Sequence, residues 1–180
     1  MSTIQTIKVR KSPETFLSTS IDGDDIRTIV EAGNYAPIFG KVHFTVITDA
    51  ALLDTINRIT IEMMKQSGNE FAEKMATTPG YNAVRNAQAF IVLSAPGGND
   101  AMGFNMANVS CAAENMILVA TEKKIGSRFM MGPVMSLSQE PVRSALALPE
   151  GYEPLVIVAL GYADIAFEER NKRADNITYL

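Results

Sequence analysis

Between Asp22 and Tyr35 the apolar positions Ile26, Ile29 and Val30 fall three and four residues apart, with Gly33 on the same face. That spacing predicts an amphipathic helix, with Asp22 as its N-cap, Asp24 and Asp25 at the positive end of its dipole, and Pro37 beyond its end. Phe44-Thr45-Val46-Ile47 is a short β-rich run closed by Thr48-Asp49, where a second helix begins. From Ala51 to about Ala76, Leu52, Leu53, Ile56, Ile59 and Met63 recur at helical spacing, and Gly68 divides the segment into two pieces. Ala87 to Ala95 is apolar, bounded by Pro96-Gly97-Gly98, and has the length of a buried strand. Asn105 to Lys124 gives the clearest helix, its middle crowded with the small residues Ala107, Ser110, Cys111, Ala112 and Ala113, which permit close approach of another helix or a flat ligand. Gly126 is expected as its C-cap after Lys123 and Lys124. A shorter helix over Ser138 to Leu146, with Pro141 in its first turn, precedes the continuous apolar strand Leu155 to Leu160, which Gly161 stops.

Helices mixed with a few buried strands, without regular βαβ alternation, favour an α+β layered fold over a doubly wound nucleotide domain. No internal repeat, low-complexity tract or charged linker divides residues 1–180, so a single domain is expected. With 47% hydrophobic residues the chain can bury a sizeable core. It contains no apolar run of membrane-spanning length, and Met1-Ser2-Thr3-Ile4-Gln5 lacks the layout of a secretory signal, so a cytoplasmic location is expected. A net charge of −4 argues against nucleic acid as the main partner and requires any anion site to be local.

Reactive side chains are scarce: there is one histidine, His43, one cysteine, Cys111, and no tryptophan. An internal disulfide is excluded and an ordinary zinc site is not expected, so no metal is assigned. Chemistry would have to come from a bound cofactor. Arg10-Lys11-Ser12 is the place where a phosphorylated one could be held, because a guanidinium fork, an ammonium and a hydroxyl lie together just before Pro13. By spacing alone the same triplet also reads as a solvated basic turn before a helix.

Several segments in order narrow this. Arg10-Lys11-Ser12 to Phe16 follows R-x-S-x-x-x-F, and Tyr35-Ala36-Pro37 ends a helix. Phe44-Thr45-Val46-Ile47, the small-residue helix through Ile125-Gly126-Ser127, Leu148-Pro149-Glu150 and Leu160-Gly161-Tyr162 complete the series. Together they resemble the FMN-dependent nitroreductase family, in its small branch, over nearly the whole length. The resemblance implies a mixed, mainly antiparallel sheet sandwiched by helices, and a homodimer with two FMN molecules at the subunit interface. It implies that Arg10 and Ser12 hold the FMN phosphate and ribityl chain, with Lys11 adding charge or a backbone contact. Glu169-Arg170-Asn171-Lys172-Arg173 matches the basic element that completes the phosphate site, with Arg170 and Lys172 favoured because alternate positions on an extended chain point the same way. Phe129-Met130-Met131-Gly132-Pro133-Val134 occupies the place of the loop past the reactive flavin edge, where Gly132 allows close backbone approach and a main-chain N–H can face the flavin N5. The Met residues there have core packing as their other use.

The implied activity is transfer of electrons from NADH or NADPH to nitroaromatic, quinone-like or similar electron-poor acceptors, the flavin performing the chemistry without a catalytic side chain. A non-catalytic flavin-binding sensor or carrier on the same fold is the alternative. Two features depart from the resemblance. The loop Ile38-Phe39-Gly40-Lys41-Val42-His43 is short and lacks the Asn that commonly bonds the flavin ring, leaving Lys41 as the polar candidate. Glu14 stands where relatives are usually basic, and weakens the cradle unless it pairs with Arg10 or Lys11. Cys111 reads as buried packing, and His43 as a packed or surface histidine before a donor to the flavin. Glu114 and Asn115 have three uses open to them, the dimer interface, the flavin or solvent, with the interface favoured.

Overall fold

The computed structural model describes residues 1–98, 100, 103–171 and 176–179. The two longest apolar runs become the central strands of a four-stranded sheet: β2 (Ala89–Pro96) pairs antiparallel with β4 (Tyr152–Gly161). β1 (His43–Ile47) adds to the outer edge of β2 and β3 (Gly126–Met130) to that of β4, giving the order β1-β2-β4-β3 with each pairing antiparallel. The parallel component of the expected mixed sheet is absent among the described residues.

Because successive strand residues point to opposite faces, one run of apolar residues feeds two cores. Ala89, Ile91 and Leu93 of β2, with Val156, Val158 and Leu160 of β4, face α2 (Gly23–Gly33) and α5 (Phe104–Glu122). Phe90, Val92, Ile157 and Ala159 face the other way, toward α3 (Ala50–Lys65), a 3-10 helix (Gly132–Ser138) and α6 (Val142–Ala145). The result is a sheet sandwiched by helices. Helix starts follow their caps: the Asp22 carboxylate accepts from Asp24 N–H at 2.8 Å, and that of Asp49 accepts from Leu52 N–H at 2.7 Å. Gly68, at φ +68, separates α3 from α4 (Glu70–Thr77).

Two elements have no counterpart in the sequence pattern. α1 (Thr3–Val9) is rich in β-branched residues, which are poor helix formers, yet it buries Thr6 and Val9 and its first turn is capped by Ser2. β3 carries Arg128 in its middle and is held through β4. Three local expectations are corrected. The left-handed residue that ends α5 is Lys124, at φ +61, and Gly126 instead opens β3. The helix expected over Ser138 to Leu146 is interrupted by extended Gln139 and by Pro141, so only the four residues of α6 are α-helical. Cys111 is exposed: α5 buries Asn108, Val109, Ala112, Ala113, Met116, Ile117, Ala120 and Thr121, and position 111 falls on the opposite side of that stripe.

Candidate functional site

The segment from α1 to Leu17 is pinned across the end of the sheet by Phe16. Gly126 and Gly161 face each other across β3 and β4, and the Phe16 ring lies over the space their missing side chains leave. A Cβ on Gly161 would come within 2.6 Å of the Phe16 Cβ, and one on Gly126 within 3.2 Å of its ring. Phe16 is 4% exposed. Its N–H donates to the Arg85 carbonyl at 2.9 Å, and the Leu17 N–H donates to that of Tyr162 at 2.7 Å. This fixes where Arg10, Lys11 and Ser12 emerge.

Around this strap, arginines arrive from distant parts of the chain. Arg128 donates to the Pro13 carbonyl at 2.9 Å and approaches Glu14 at 3.6 Å. Arg85 approaches the other Glu14 oxygen at 3.9 Å, and its guanidinium lies 5.1 Å from the Tyr81 ring centroid. Arg170 donates to the Ile7 carbonyl, and its backbone N–H to that of Lys8, both at 3.1 Å. Lys8 pairs with Glu169 at 3.1 Å. The C-terminal segment is thus stitched to the end of α1, directly before Arg10. Lys8, Arg10 and Arg170 gather with Glu169 and Glu114 at the end of α1, and Arg85 and Arg128 meet Glu14 further along the strap, a local positive surplus on a chain of net charge −4.

Arg10 is loosely engaged. Its Nη1 stands 3.4 Å from the Ser12 hydroxyl and its Nε 3.7 Å from Glu114, both at or beyond the limit of a good hydrogen bond. Such contacts yield readily to a phosphate, which accepts charge-assisted bonds. Glu14 pairs with Arg85 and Arg128 and not with Arg10 or Lys11, so it braces the strap from the far side. Glu114 is the acid that meets Arg10, while Asn115 donates to the Ala32 carbonyl at 3.2 Å and ties α5 to α2.

Met131 and Gly132 line a cavity of about 350 Å³ together with Met64, Tyr81, Arg85 and Arg128. That is within the usual range for small-molecule sites of about 300–1,000 Å³. A Cβ on Gly132 meets nothing within 4 Å, so packing does not demand glycine there and the backbone is left open to an approaching group. The Arg85 Nε is buried without a hydrogen-bond partner. Arg85 and Asn86 both adopt left-handed backbone, φ +60 and +58, which costs roughly 1–2 kcal/mol per residue and is held by Asn82, Thr15 and Phe16. Neither Arg85 nor Arg128 was singled out from the sequence. The available signal was a lone charge inside the β3 run for Arg128, and for Arg85 the turn-forming Asn82 and Asn86 near it.

Other expected residues lie elsewhere. Lys41 precedes β1, at the sheet edge opposite β3 and the Met131-Gly132 loop. Three interstrand spacings put these edges about 14 Å apart. His43 packs edge-on against Tyr152, ring centroids 6.2 Å apart, at that same far edge. Lys172 is outside the described residues.

The chain matches the sequence model of the nitroreductase family over residues 7–162, most of its length. It belongs to the nitroreductase family. No curated protein matches it by sequence. Among solved structures of family members, it is similar to an FMN-bound nitroreductase from Bacteroides fragilis NCTC 9343, at 26% identity and TM-score 0.86, covering 100% of this chain and 99% of that one. It is also similar to an FMN-bound nitroreductase from Desulfitobacterium hafniense DCB-2, at 19% identity and TM-score 0.89 over 99% and 97% of the two chains. An NADPH:FMN oxidoreductase from Vibrio harveyi, crystallised with NAD+, shares 20% identity and a TM-score of 0.69 over 99% of this chain and 79% of that one. Among the described residues no helix of this nitroreductase-family chain is long and apolar enough to cross a membrane.

Proposed function

We propose that the protein is a cytoplasmic, homodimeric FMN-dependent oxidoreductase that carries electrons from NADH or NADPH to nitroaromatic, quinone-like or similar electron-poor acceptors. The observation that carries this reading is the convergence of Arg10, Arg85, Arg128 and Arg170 on one strap, beside the open backbone of Gly132. The FMN-bound family members from B. fragilis and D. hafniense, and the NAD+ complex of the V. harveyi enzyme, support it.

The residues present fit the cofactor. Arg10 and Ser12, with Lys11 beside them, would hold the phosphate, their long mutual contact giving way to charge-assisted bonds. Arg170 brings charge to the same end of α1, and Lys172, two residues on in the sequence, is assigned to the phosphate with it. FMN held there would supply the redox chemistry between the nicotinamide donor and the acceptor. Met131 and Gly132 would offer main chain to the ring, and the Arg85 and Arg128 guanidiniums, which line the same cavity, would favour negative charge there. No Gly-x-Gly-x-x-Gly follows a strand, in keeping with a nicotinamide that docks transiently over the flavin.

A second copy of the chain is supported by two features. Ile4 and Ile7 of α1 are 62% and 41% exposed, and Tyr35 and Phe39 are 86% and 76% exposed, a load of apolar surface that a partner would cover. Lys41, far from its own Met131-Gly132 loop, can serve a flavin only across such an interface.

The test is anaerobic reduction of reconstituted protein. Stoichiometric FMN retention, bleaching of flavin absorbance by NADH or NADPH, and its return on adding a quinone or nitroaromatic are expected. Failure to retain FMN sinks the cofactor assignment; retention without bleaching leaves the non-catalytic flavin carrier.

A further inference from the structure

The loop between Pro37 and β1 packs Ile38 and Val42 on the core, and its backbone at Phe39 is gripped by one buried side chain. Asn108, on the first turns of α5, is 4% exposed. Its Oδ1 accepts from the Phe39 N–H at 3.0 Å, while its Nδ2 donates to the Phe39 carbonyl at 2.6 Å. One carboxamide therefore satisfies both backbone groups of one loop residue, as a neighbouring strand would. Among the described residues no other hydrogen bond joins Ile38, Phe39, Gly40 or Lys41 to the rest of the chain. Phe39 rests its ring on Phe104, centroids 5.3 Å apart, and Gly40 turns the chain at φ +121, so that Lys41 leaves the loop two residues beyond the clamp.

We propose that Asn108 is a positioning residue: by gripping both backbone groups of Phe39 it fixes the Ile38–Lys41 loop, and with it the place where the Lys41 ammonium stands against the flavin. The inference rests on the flavin reading above, which assigns Lys41 to the cofactor. Only a carboxamide can perform the double contact. An aspartate in its place would turn a carboxylate toward the Phe39 carbonyl, whereas a glutamine keeps both a donor and an acceptor on a longer arm.

Asn108→Asp, Asn108→Gln, Gly40→Ala and Lys41→Ala are compared with the parent protein in two measurements. The first is amide exchange at Phe39 without cofactor, with the core amide of Ile91 as the control for global opening. Asn108→Asp keeps an acceptor for the Phe39 N–H but sets a carboxylate against the Phe39 carbonyl; this repulsion should open the clamp and speed Phe39 exchange by up to about tenfold, while Ile91 keeps its protection. Gly40→Ala, strained at positive φ, should loosen the same amide from outside the core and serves if Asn108→Asp does not fold. The second is the reduction potential of bound FMN. Lys41→Ala should lower it by removing a cation that favours the electron-rich reduced ring; the charge-neutral Gly40→Ala should lower it in parallel, and Asn108→Gln should keep most of the parent potential. If Lys41→Ala lowers the potential and Gly40→Ala does not, the clamp is overturned and the flavin reading stands. An unmoved potential in Lys41→Ala overturns the assignment of Lys41, and the role of Asn108 with it.

Discussion

Replacing Gly161 with Ala probes how the strap that carries Arg10 is held. The new methyl would stand 2.6, 2.7 and 2.8 Å from the Cβ, Cγ and Cδ1 of Phe16, each about an ångström inside the normal carbon–carbon contact of about 3.5–4.0 Å. Because the closest atom is the Phe16 Cβ, rotating the ring gives little relief and the backbone of the strap must lift. Overpacking of this kind costs about 1–3 kcal/mol. Replacing a strand glycine by alanine returns about 0.5–1 kcal/mol of chain entropy, so a net loss of about 1–2 kcal/mol is expected in urea unfolding. The lifted strap strains the bonds from Phe16 to Arg85 and from Leu17 to Tyr162, so FMN affinity should fall as well. Gly23→Ala is the control: its Cβ would meet nothing within 4 Å at the start of α2, and it should be neutral or stabilising. Wild-type stability together with unchanged FMN affinity in Gly161→Ala would refute the anchoring role of Phe16.

Three further outcomes are expected. Arg128→Ala removes the 2.9 Å bond to the Pro13 carbonyl and one of the two arginine partners of Glu14; urea unfolding should show a loss of about 1–3 kcal/mol, and FMN titration a weaker complex. Asp49→Ala removes the cap on Leu52 N–H and should cost about 1 kcal/mol of stability, with FMN affinity unaltered because the cap bond touches neither Arg10-Lys11-Ser12 nor the Met131-Gly132 loop. Gly132→Ala should leave the unfolding curve in place, since its methyl enters open space, and weaken FMN binding by crowding the ligand instead of the protein.

The parts of the fold legible in the sequence were those whose own residues bury themselves. Ile26 and Ile29 on α2, the alternating faces of β2 and β4, and the aspartate caps all declared their roles locally. α1 and β3 did not, because each exists through a neighbour: Thr6 and Val9 are buried by tertiary packing against their propensity, and β3 by pairing with β4. Cys111 went astray because the small residues at its sides suggested a buried stripe, while the helix turns it to the side opposite that stripe. For the site, Arg10-Lys11-Ser12 and the basic C-terminal run were visible as clusters, and the stitching of Arg170 to Ile7 and Lys8 joins those ends. Arg85 and Arg128 were invisible as isolated charges. They become a pair only through Glu14, whose partners cannot be inferred from sequence distance.

The central claim is that the strap forms a phosphate cradle around Arg10. Calorimetric titration of cofactor-free protein with FMN and with riboflavin tests it most directly, since the two ligands differ only in the phosphate. FMN should bind far more tightly than riboflavin. Arg10→Ala should remove about 1–3 kcal/mol of that difference while leaving the riboflavin affinity where it was. Equal affinity for the two ligands, or an FMN preference that survives Arg10→Ala undiminished, would contradict the account.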